Sequence, residues 1–169
     1  MAKVLFIIAP KNFRDEELKE PKDVLESAGH ECKVASTTTE PCTGMLGATV
    51  TPDLNVSDVN VEEYDAVAMI GGTGVFSIID NETIMKIFVE AKEKGKVIGA
   101  ICAGPLIVAN SGIMEGVRAT MYPNDKYVEE YKELGVNYVK EDVVVDGKIV
   151  TACGPTAAKE FGIKLKELL

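Results

Sequence analysis

The chain has 169 residues, 46% of them hydrophobic, and its 18 lysine and arginine residues stand against 27 aspartate and glutamate residues, for a net charge of −9. A chain of this length forms about one domain and buries roughly 68–70% of its unfolded surface. We therefore predict a single domain over residues 1–169 that folds without a metal or a disulfide. The acidic balance and the lack of a basic stripe argue against a nucleic-acid partner.

Membrane and export signals are not expected from this sequence. No stretch approaches the ~20 apolar residues of a spanning helix, and the first apolar run is too short for a signal peptide. The four cysteines, Cys32, Cys42, Cys102 and Cys153, stand singly without a C-x-x-C pair, and His30 is the only histidine. Structural zinc is thereby argued against, and a reduced, cytoplasmic setting fits best.

Apolar runs rich in valine and isoleucine alternate with longer amphipathic stretches, which is the pattern of βαβ units. In chain order the pattern predicts a strand at 3–9, a helix at 15–28, strands at 31–36 and 65–70, a helix at 81–94, a strand at 96–100 and a helix ending near 110. Such strands indicate a buried parallel sheet. Two further apolar runs, 143–145 and 149–151, flank Asp146-Gly147-Lys148 and predict a hairpin that gives the sheet an antiparallel edge.

Residues 36–60 interrupt this alternation with threonine, proline and glycine. They retain apolar residues such as Met45, so we predict a hairpin or an extended connection rather than a linker. Cys42 in this segment is expected to be exposed, whereas Cys32 is expected in the core. His30 is expected to be a solvated turn residue at the amino end of the second strand.

Three unconnected segments, Ala9-Pro10, Gly71-Gly72 and Cys102, each follow a predicted strand. Ligands of open α/β sheets bind at the carboxyl ends of the strands, so these segments predict one shared crevice. Cys102 lies between a strand and a helix among small neighbours, as a tight turn requires. The helix N-terminus would favour the reactive thiolate. The alternative is that Cys102 is a buried small apolar residue.

Glu17 is the second candidate at this crevice. Within helix 15–28 it shares a face with Pro21, Val24 and Ala28, whereas the other acidic residues form two polar rows. A carboxyl group that points toward the core has a raised pKa and can exchange a proton with a thiolate. The alternative is that Pro21 breaks the helix, at about 3 kcal/mol, and shifts this face assignment.

Two further segments, Gly71-Gly72 and Cys153-Gly154, allow either a functional or a structural interpretation. Gly71-Gly72 could offer N–H groups to an oxyanion or form only a sharp turn. Gly72-Thr73-Gly74 begins a G-x-G-x-x-G motif that Ser77 leaves incomplete, so a dinucleotide site is weakly indicated. Cys153, next to Gly154, also follows a predicted strand. It either lies near the crevice or is a packed thiol, and we favour the packed thiol.

Four motifs occur in a specific order over essentially the whole chain. They are Phe13-Arg14-Asp15-Glu16-Glu17-Leu18, Ile70-Gly71-Gly72, Ala100-Ile101-Cys102-Ala103-Gly104-Pro105 and Val145-Asp146-Gly147. On these motifs the sequence resembles the ThiJ/PfpI superfamily, which includes the Parkinson-associated deglycase, PfpI-type intracellular peptidases and cofactor-independent glyoxalases. The resemblance implies a flavodoxin-like three-layer α/β sandwich, a homodimer or higher homo-oligomer, a nucleophilic Cys102 and Glu17 as its hydrogen-bond partner.

The sequence departs from the family at three positions. PfpI-type peptidases carry a histidine directly after the cysteine, where this chain has Ala103. The deglycase branch usually places a histidine before a proline at the position of Tyr122-Pro123, so Tyr122 is either a pocket hydrogen-bond donor or a packed aromatic. Cys153, directly before Gly154-Pro155, stands where the family commonly has an arginine, which removes an anion contact and adds a thiol that could act as a resolving cysteine.

The resemblance implies a cysteine-dependent glyoxalase or deglycase that needs no cofactor or metal and acts on small α-oxoaldehydes or their adducts. Cys102 would attack the aldehyde carbon, backbone N–H groups of Gly72 and Ala103 would steady the oxygen, and Glu17 would move the proton. The alternative is a redox sensor or protective chaperone that works through oxidation of Cys102. A PfpI-type cysteine peptidase comes third, because Ala103 and the single His30 disfavour it.

Overall fold

The structure is a computed structural model that describes residues 1–169. Its strands are β1 (Lys3–Ile7), β2 (Lys11–Phe13), β3 (Glu31–Ser36), β4 (Cys42–Gly44), β5 (Thr49–Val50), β6 (Leu54–Asn55), β7 (Ala66–Met69), β8 (Val97–Ile101), β9 (Arg118–Ala119), β10 (Asn137–Tyr138), β11 (Val143–Asp146) and β12 (Ile149–Ala152). Its α-helices are α1 (Asp15–Ser27), α2 (Glu82–Glu93), α3 (Gly104–Asn110), α4 (Asp125–Glu133) and α5 (Ala158–Glu167).

Seven strands form the central sheet in the order β11-β12-β8-β7-β1-β3-β6. All neighbouring pairs are parallel except β11 and β12, which form the predicted C-terminal hairpin. Met69 of β7 lies opposite Ile7 of β1 and Ala100 of β8. Because the strands are in register, the carboxyl ends of β1, β7 and β8 meet at one edge, where the sequence predicted a crevice.

Helices cover both faces of this sheet. Buried residues of α2, α3 and α4 belong to one apolar cluster, and those of α1 and α5 belong to a second cluster on the other face. The predicted mostly parallel three-layer α/β fold is confirmed. None of the helices has the length and apolar character that crossing a bilayer requires.

Helix α1 runs without interruption through Pro21, so the proline does not break the helix. Glu17, Leu18, Pro21 and Leu25 are buried on one side of α1. Pro21 packs against Gly162 of α5, where a Cβ atom would lie 2.6 Å from the Pro21 Cα atom. The predicted apolar face is therefore present near Glu17, although its far end turns toward solvent at Ala28.

The segment 36–60 contains β4 and β5, which pair antiparallel as a short hairpin, and β2 joins β4 in a small sheet of three strands. A hairpin was one of the two predicted forms. The prediction that Cys42 is exposed is wrong, because its side chain is fully buried in the cluster that includes Phe13. Pairing of β4 with both neighbours turns this thiol inward, which the irregular sequence around it did not indicate.

Candidate functional site

Cys102 occupies the turn between β8 and α3 in a backbone conformation that only glycine adopts freely. Its φ angle is +61°, in the left-handed region. Such a conformation in a residue with a side chain costs about 1–3 kcal/mol and persists only where the surroundings enforce it. Here the Cys102 N–H donates to the Ala152 carbonyl at 2.9 Å, and its carbonyl accepts from the Tyr122 N–H at 3.0 Å. The turn is therefore held from both sides.

Gly71, two residues after the end of β7, permits Glu17 and Cys102 to approach each other. A Cβ atom at Gly71 would lie 2.6 Å from the Cys102 Cβ and 2.7 Å from Glu17 Oε1. Contacts this short do not occur, so only glycine fits between the two side chains. The structure thus brings together Glu17, Gly71 and Cys102 from three elements that are distant in sequence.

The Glu17 carboxyl group is fully buried, and neither oxygen has a hydrogen-bond partner of ordinary geometry in the protein. Burial raises its pKa to about 8, and the nearby Cys102 thiol and then the Arg14 charge oppose that rise. A buried ionised carboxylate without partners is strongly unfavourable, so Glu17 is protonated at neutral pH. Its O–H is then available as a hydrogen-bond donor at the sulfur.

The Cys102 thiol is itself largely buried, and burial is the largest influence on its pKa. Burial, followed by the charge of the Glu17 carboxylate, raises its pKa to about 12. The N–H groups of Gly72 and Ala103 lower the same pKa. These amides act in the direction predicted for a helix N-terminus, but burial outweighs them. Burial and the two amides thus act on the thiol pKa in opposite directions, and the favoured thiolate stays a prediction.

A pocket of about 570 Å³ opens over Cys102 at this edge of the sheet. Its lining consists of Arg14, Met45, Gly72, Thr73, Phe76, Cys102, Ala103, Met121, Tyr122, Tyr127 and Pro155. Of the residues predicted from sequence, Gly72, Cys102, Ala103 and Tyr122 line the pocket, whereas Glu17 and Gly71 lie beneath it. Tyr122 is 49% exposed, so it is not the packed aromatic of the alternative interpretation.

Three of the predicted pocket residues do not line it: Pro123, Cys153 and Gly154. The Cys153 sulfur lies 3.7 Å from Asp142 Oδ1, and its N–H donates to the Asp142 carbonyl. Burial, followed by the Asp142 charge, raises the pKa of this thiol. Cys153 is thus half-buried beside the pocket with its sulfur near an aspartate.

Residues that the sequence did not single out supply much of the lining, above all Arg14, Phe76 and Tyr127. Arg14 immediately precedes α1, and its guanidinium donates to both Glu16 oxygens at 3.0–3.2 Å. Phe76 and Tyr127 stack with ring centroids 4.5 Å apart. Phe76 is close to Gly72 in sequence and could have been suspected, but nothing in the sequence connects it with Tyr127.

The glycines of the incomplete G-x-G-x-x-G motif serve backbone packing. A Cβ atom at Gly72 would overlap the Asn12 carbonyl oxygen, and one at Gly74 would overlap the Lys11 carbonyl oxygen even more closely. Gly72 also has a φ of +105°, which favours glycine. The motif therefore accounts for a close turn against β2.

No group of three or more potential metal-ligating side chains occurs in the structure.

The remaining candidates lie away from the pocket. His30 is at the amino end of β3, partly buried, and its Nδ1 accepts from the Ala2 N–H at 3.0 Å. It is therefore more ordered than the predicted solvated turn residue, at the edge opposite Cys102. Cys32 is partly buried against the core, and burial raises the pKa of its thiol to about 12.

Fold and site together define a three-layer α/β protein with a thiol at a strand-to-helix turn and a buried carboxyl group beneath it. A sequence model of the DJ-1/PfpI family matches residues 2–168, and the chain belongs to this family. The predicted resemblance is thereby confirmed.

Relatives and solved structures agree with this assignment. The chain is 44% identical to an uncharacterized protein of Methanocaldococcus jannaschii over 97% of this chain and 80% of the relative. It is 36% identical to a deglycase of Pyrococcus abyssi (89% and 90%) and 31% identical to a glutathione-independent glyoxalase of Caenorhabditis elegans (98% and 87%). A ThiJ/PfpI domain protein of Brachyspira murdochii superposes with a TM-score of 0.94 at 34% identity, covering 98% of this chain and 95% of that one.

Proposed function

We propose that the protein is a glyoxalase or deglycase-type enzyme in which Cys102 attacks small α-oxoaldehydes or their adducts with thiols and amines. The observation that carries the proposal is the buried, unpartnered Glu17 carboxyl next to the Cys102 thiol at the floor of a pocket. Perturbed titratable groups in a cleft are typical of active sites. The names of the relatives from P. abyssi and C. elegans support the same class of activity.

In this proposal the protons move within the buried pair. With Glu17 protonated, the carboxylate charge that raises the pKa of Cys102 is absent, and the thiolate becomes more accessible. The sulfur forms a bond to the aldehyde carbon, the carbonyl π electrons move to oxygen, and the thiol proton passes by way of Glu17 to that oxygen. The product of this step is a neutral hemithioacetal.

The N–H groups of Gly72 and Ala103 lie near the sulfur in the resting protein. We propose that they stabilise first the attacking thiolate and then the oxygen that develops on the carbon bound to it. None of these steps requires a cofactor.

The test is consumption of methylglyoxal by the wild type, by Cys102→Ser and by Cys32→Ser. We expect Cys102→Ser to lose activity by at least about 10³-fold, because an alcohol is a far weaker nucleophile here. Cys32→Ser should retain the wild-type rate, since Cys32 lies outside the pocket. Equal rates in all three proteins, or no consumption by the reduced wild type, would contradict the proposal.

One observation favours a second candidate, a redox sensor or protective chaperone. A protonated Glu17 has an O–H without another acceptor, and it could donate to a sulfinate on Cys102. Oxidation of the thiol to sulfinate would consume two molecules of hydrogen peroxide, each reduced to water. An enzyme should turn over methylglyoxal with Cys102 reduced and lose activity after peroxide treatment, whereas a sensor should do neither.

A peptidase receives no support, because His30 lies at the opposite edge of the sheet.

A further inference from the structure

The Cys102 pocket is lined mainly by apolar and aromatic side chains. Five of its lining side chains are methionine, phenylalanine or tyrosine: Met45, Phe76, Met121, Tyr122 and Tyr127. Met45, Phe76 and Tyr122 are 38%, 36% and 49% exposed, so large hydrophobic side chains meet solvent together at this one place. Clustered exposed apolar side chains around a concave site are typical of ligand binding.

Two aromatic rings form a stacked wall of this pocket. Phe76 lies in the short turn 73–77 after Gly72, and Tyr127 lies in the first turns of α4. Their ring planes are inclined by 28° at a centroid separation of 4.5 Å. Phe76 keeps about a third of its surface exposed despite this stacking, so it can still contact a ligand. A flat apolar group is the natural third member of such a stack.

The charge of the lining residues also favours an uncharged ligand. Arg14 is the only charged side chain in the lining, and both Glu16 oxygens already accept from its guanidinium. The carboxylate of Glu16, 3.0 Å away, offsets the positive charge that Arg14 would otherwise present to an anion. The pocket therefore lacks a free cation for a carboxylate or phosphate group on the substrate.

The size of the pocket also exceeds what a three-carbon aldehyde fills. Its volume of about 570 Å³ lies within the range of cavities that hold drug-sized ligands, roughly 300–1,000 Å³. An aldehyde carbon placed at Cys102 would leave most of that volume to its substituent. The apolar lining, the paired arginine and the spare volume all bear on the substituent that the α-oxoaldehyde carries. They favour a substituent that is large, apolar and uncharged.

Building on the proposed function, we infer that the preferred substrates are uncharged α-oxoaldehydes with a flat apolar substituent, the arylglyoxal class, or adducts that carry such a group. Phe76 and Tyr127 are the specificity-determining residues, and they contact the substituent while Cys102 contacts the aldehyde. Small methyl-substituted and anionic substrates leave the aromatic wall unused.

The experiment separates this preference from turnover by measuring only the alkylation of Cys102. Three reagents with the same reactive iodoacetyl group are compared: iodoacetate, iodoacetamide and N-phenyl iodoacetamide. Mass spectrometry gives the rate at Cys102, and each rate is divided by that of free cysteine with the same reagent. The normalised rate for the phenyl reagent should exceed that for iodoacetamide by about fivefold, the scale of one aromatic contact, and iodoacetate should be the slowest.

Variants assign the preference to the aromatic wall. Phe76→Ala should remove most of the phenyl-to-amide ratio, and Phe76→Leu should also lower it while keeping an apolar side chain at this position. Val145→Ala, an exposed hydrophobic position on β11 outside the pocket, should keep the wild-type ratio. A circular dichroism spectrum of each variant checks that it is folded.

The outcomes distinguish the two proposals. Reaction of Cys102 with all three reagents at equal normalised rates, or a ratio unchanged in both Phe76 variants, would overturn the substrate preference while leaving Cys102 as the nucleophile. Silence of Cys102 toward every reagent would overturn the proposed function and this inference with it. A matching test by turnover compares kcat/KM for phenylglyoxal and methylglyoxal, and we expect that ratio to fall in Phe76→Ala.

Discussion

Glu17 and Cys102 share a buried site in which the charge on one group opposes the charge on the other. Burial is the largest contribution to the raised pKa of both side chains, and the Glu17 carboxylate adds to that of Cys102. Because burial raises the pKa of Glu17 to about 8, its charge acts on the thiol mainly around and above that pH. The two protons of this pair are therefore coupled, and its titration belongs to the pair rather than to either residue alone.

Replacing Glu17 by glutamine should make Cys102 more reactive at high pH. The amide keeps the shape and a donor but removes the carboxylate charge that raises the thiol pKa. At pH 9–10 we expect the iodoacetamide rate at Cys102 to rise about tenfold, the equivalent of one pKa unit. The rate is measured from pH 6 to 11 by mass spectrometry.

Glu20→Gln is the matched control for that measurement, because Glu20 is exposed on the same helix. It should leave the pH profile of Cys102 unchanged. Profiles of the wild type and Glu17→Gln that superpose over the whole range would show that the carboxylate does not act on the sulfur.

At the scale of elements, the site depends on how closely β7, β8 and α1 approach one another at Gly71. Glycine here is required by space, because an added Cβ atom would collide with the Ile101 carbonyl oxygen as well as with Cys102 and Glu17. The first of these atoms belongs to the backbone and cannot rotate away. A side chain at position 71 would therefore displace the main chain of β8 and the two side chains of the site at the same time.

Gly71→Ala should therefore destabilise the protein and disturb the site together. We expect a loss of about 1–3 kcal/mol in the free energy of unfolding, as for an overpacked core, and a changed alkylation rate at Cys102. Urea unfolding and mass spectrometry measure the two effects.

Gly154→Ala provides the comparison for Gly71→Ala. Its backbone is extended, and the nearest atom to an added Cβ is 3.9 Å away on the Tyr122 ring. Its free energy of unfolding should stay within about 0.5 kcal/mol of the wild type. An equal loss in the two variants would contradict the steric explanation for Gly71.

For the whole molecule, the raised pKa of Glu17 makes stability depend on pH. The folded protein keeps this proton up to about pH 8, whereas the unfolded chain loses it near the ordinary value of 4.5. Below pH 4.5 both states are protonated, so the stabilising effect of the bound proton is fully present there. It is lost as the pH rises from 4.5 to 8, by up to about 5 kcal/mol.

Glu17→Gln should remove this contribution, because glutamine does not titrate. Urea unfolding gives the free energy of unfolding of the wild type and of Glu17→Gln at pH 5 and at pH 8.5. The contribution of Glu17 is the change between the two pH values in the wild type minus the same change in the variant. The wild type should lose several kcal/mol more than the variant across this interval, and Glu20→Gln should follow the wild type. Parallel losses in wild type and Glu17→Gln would mean that Glu17 ionises normally in the folded protein.

Predictions from the sequence succeeded where they depended on local patterns. Alternating apolar runs predicted the parallel sheet, and Asp146-Gly147 predicted the hairpin of β11 and β12. Helical spacing placed Glu17 on the inward side of α1, and small neighbours placed Cys102 at a turn. The homo-oligomer implied by the family resemblance remains a prediction.

Predictions failed or were silent where side chains from distant segments meet. Cys42 is buried by strand pairing that its irregular surroundings did not reveal, and the Cys153 sulfur lies beside Asp142 rather than in the pocket. Phe76 and Tyr127 are 51 positions apart in the chain and gave no shared signal, yet they stack.

The sequence by itself determined the layers of this protein, the edge of the sheet at which the strands end and the two residues, Glu17 and Cys102, that are candidates for chemistry there. These features follow from periodicity and turn chemistry, which act over a few neighbouring residues. Only the tertiary structure decided the direction in which the pKa values of this pair shift and the apolar lining of the pocket. Both arise from burial and from contacts between segments far apart in the chain, which no local pattern records.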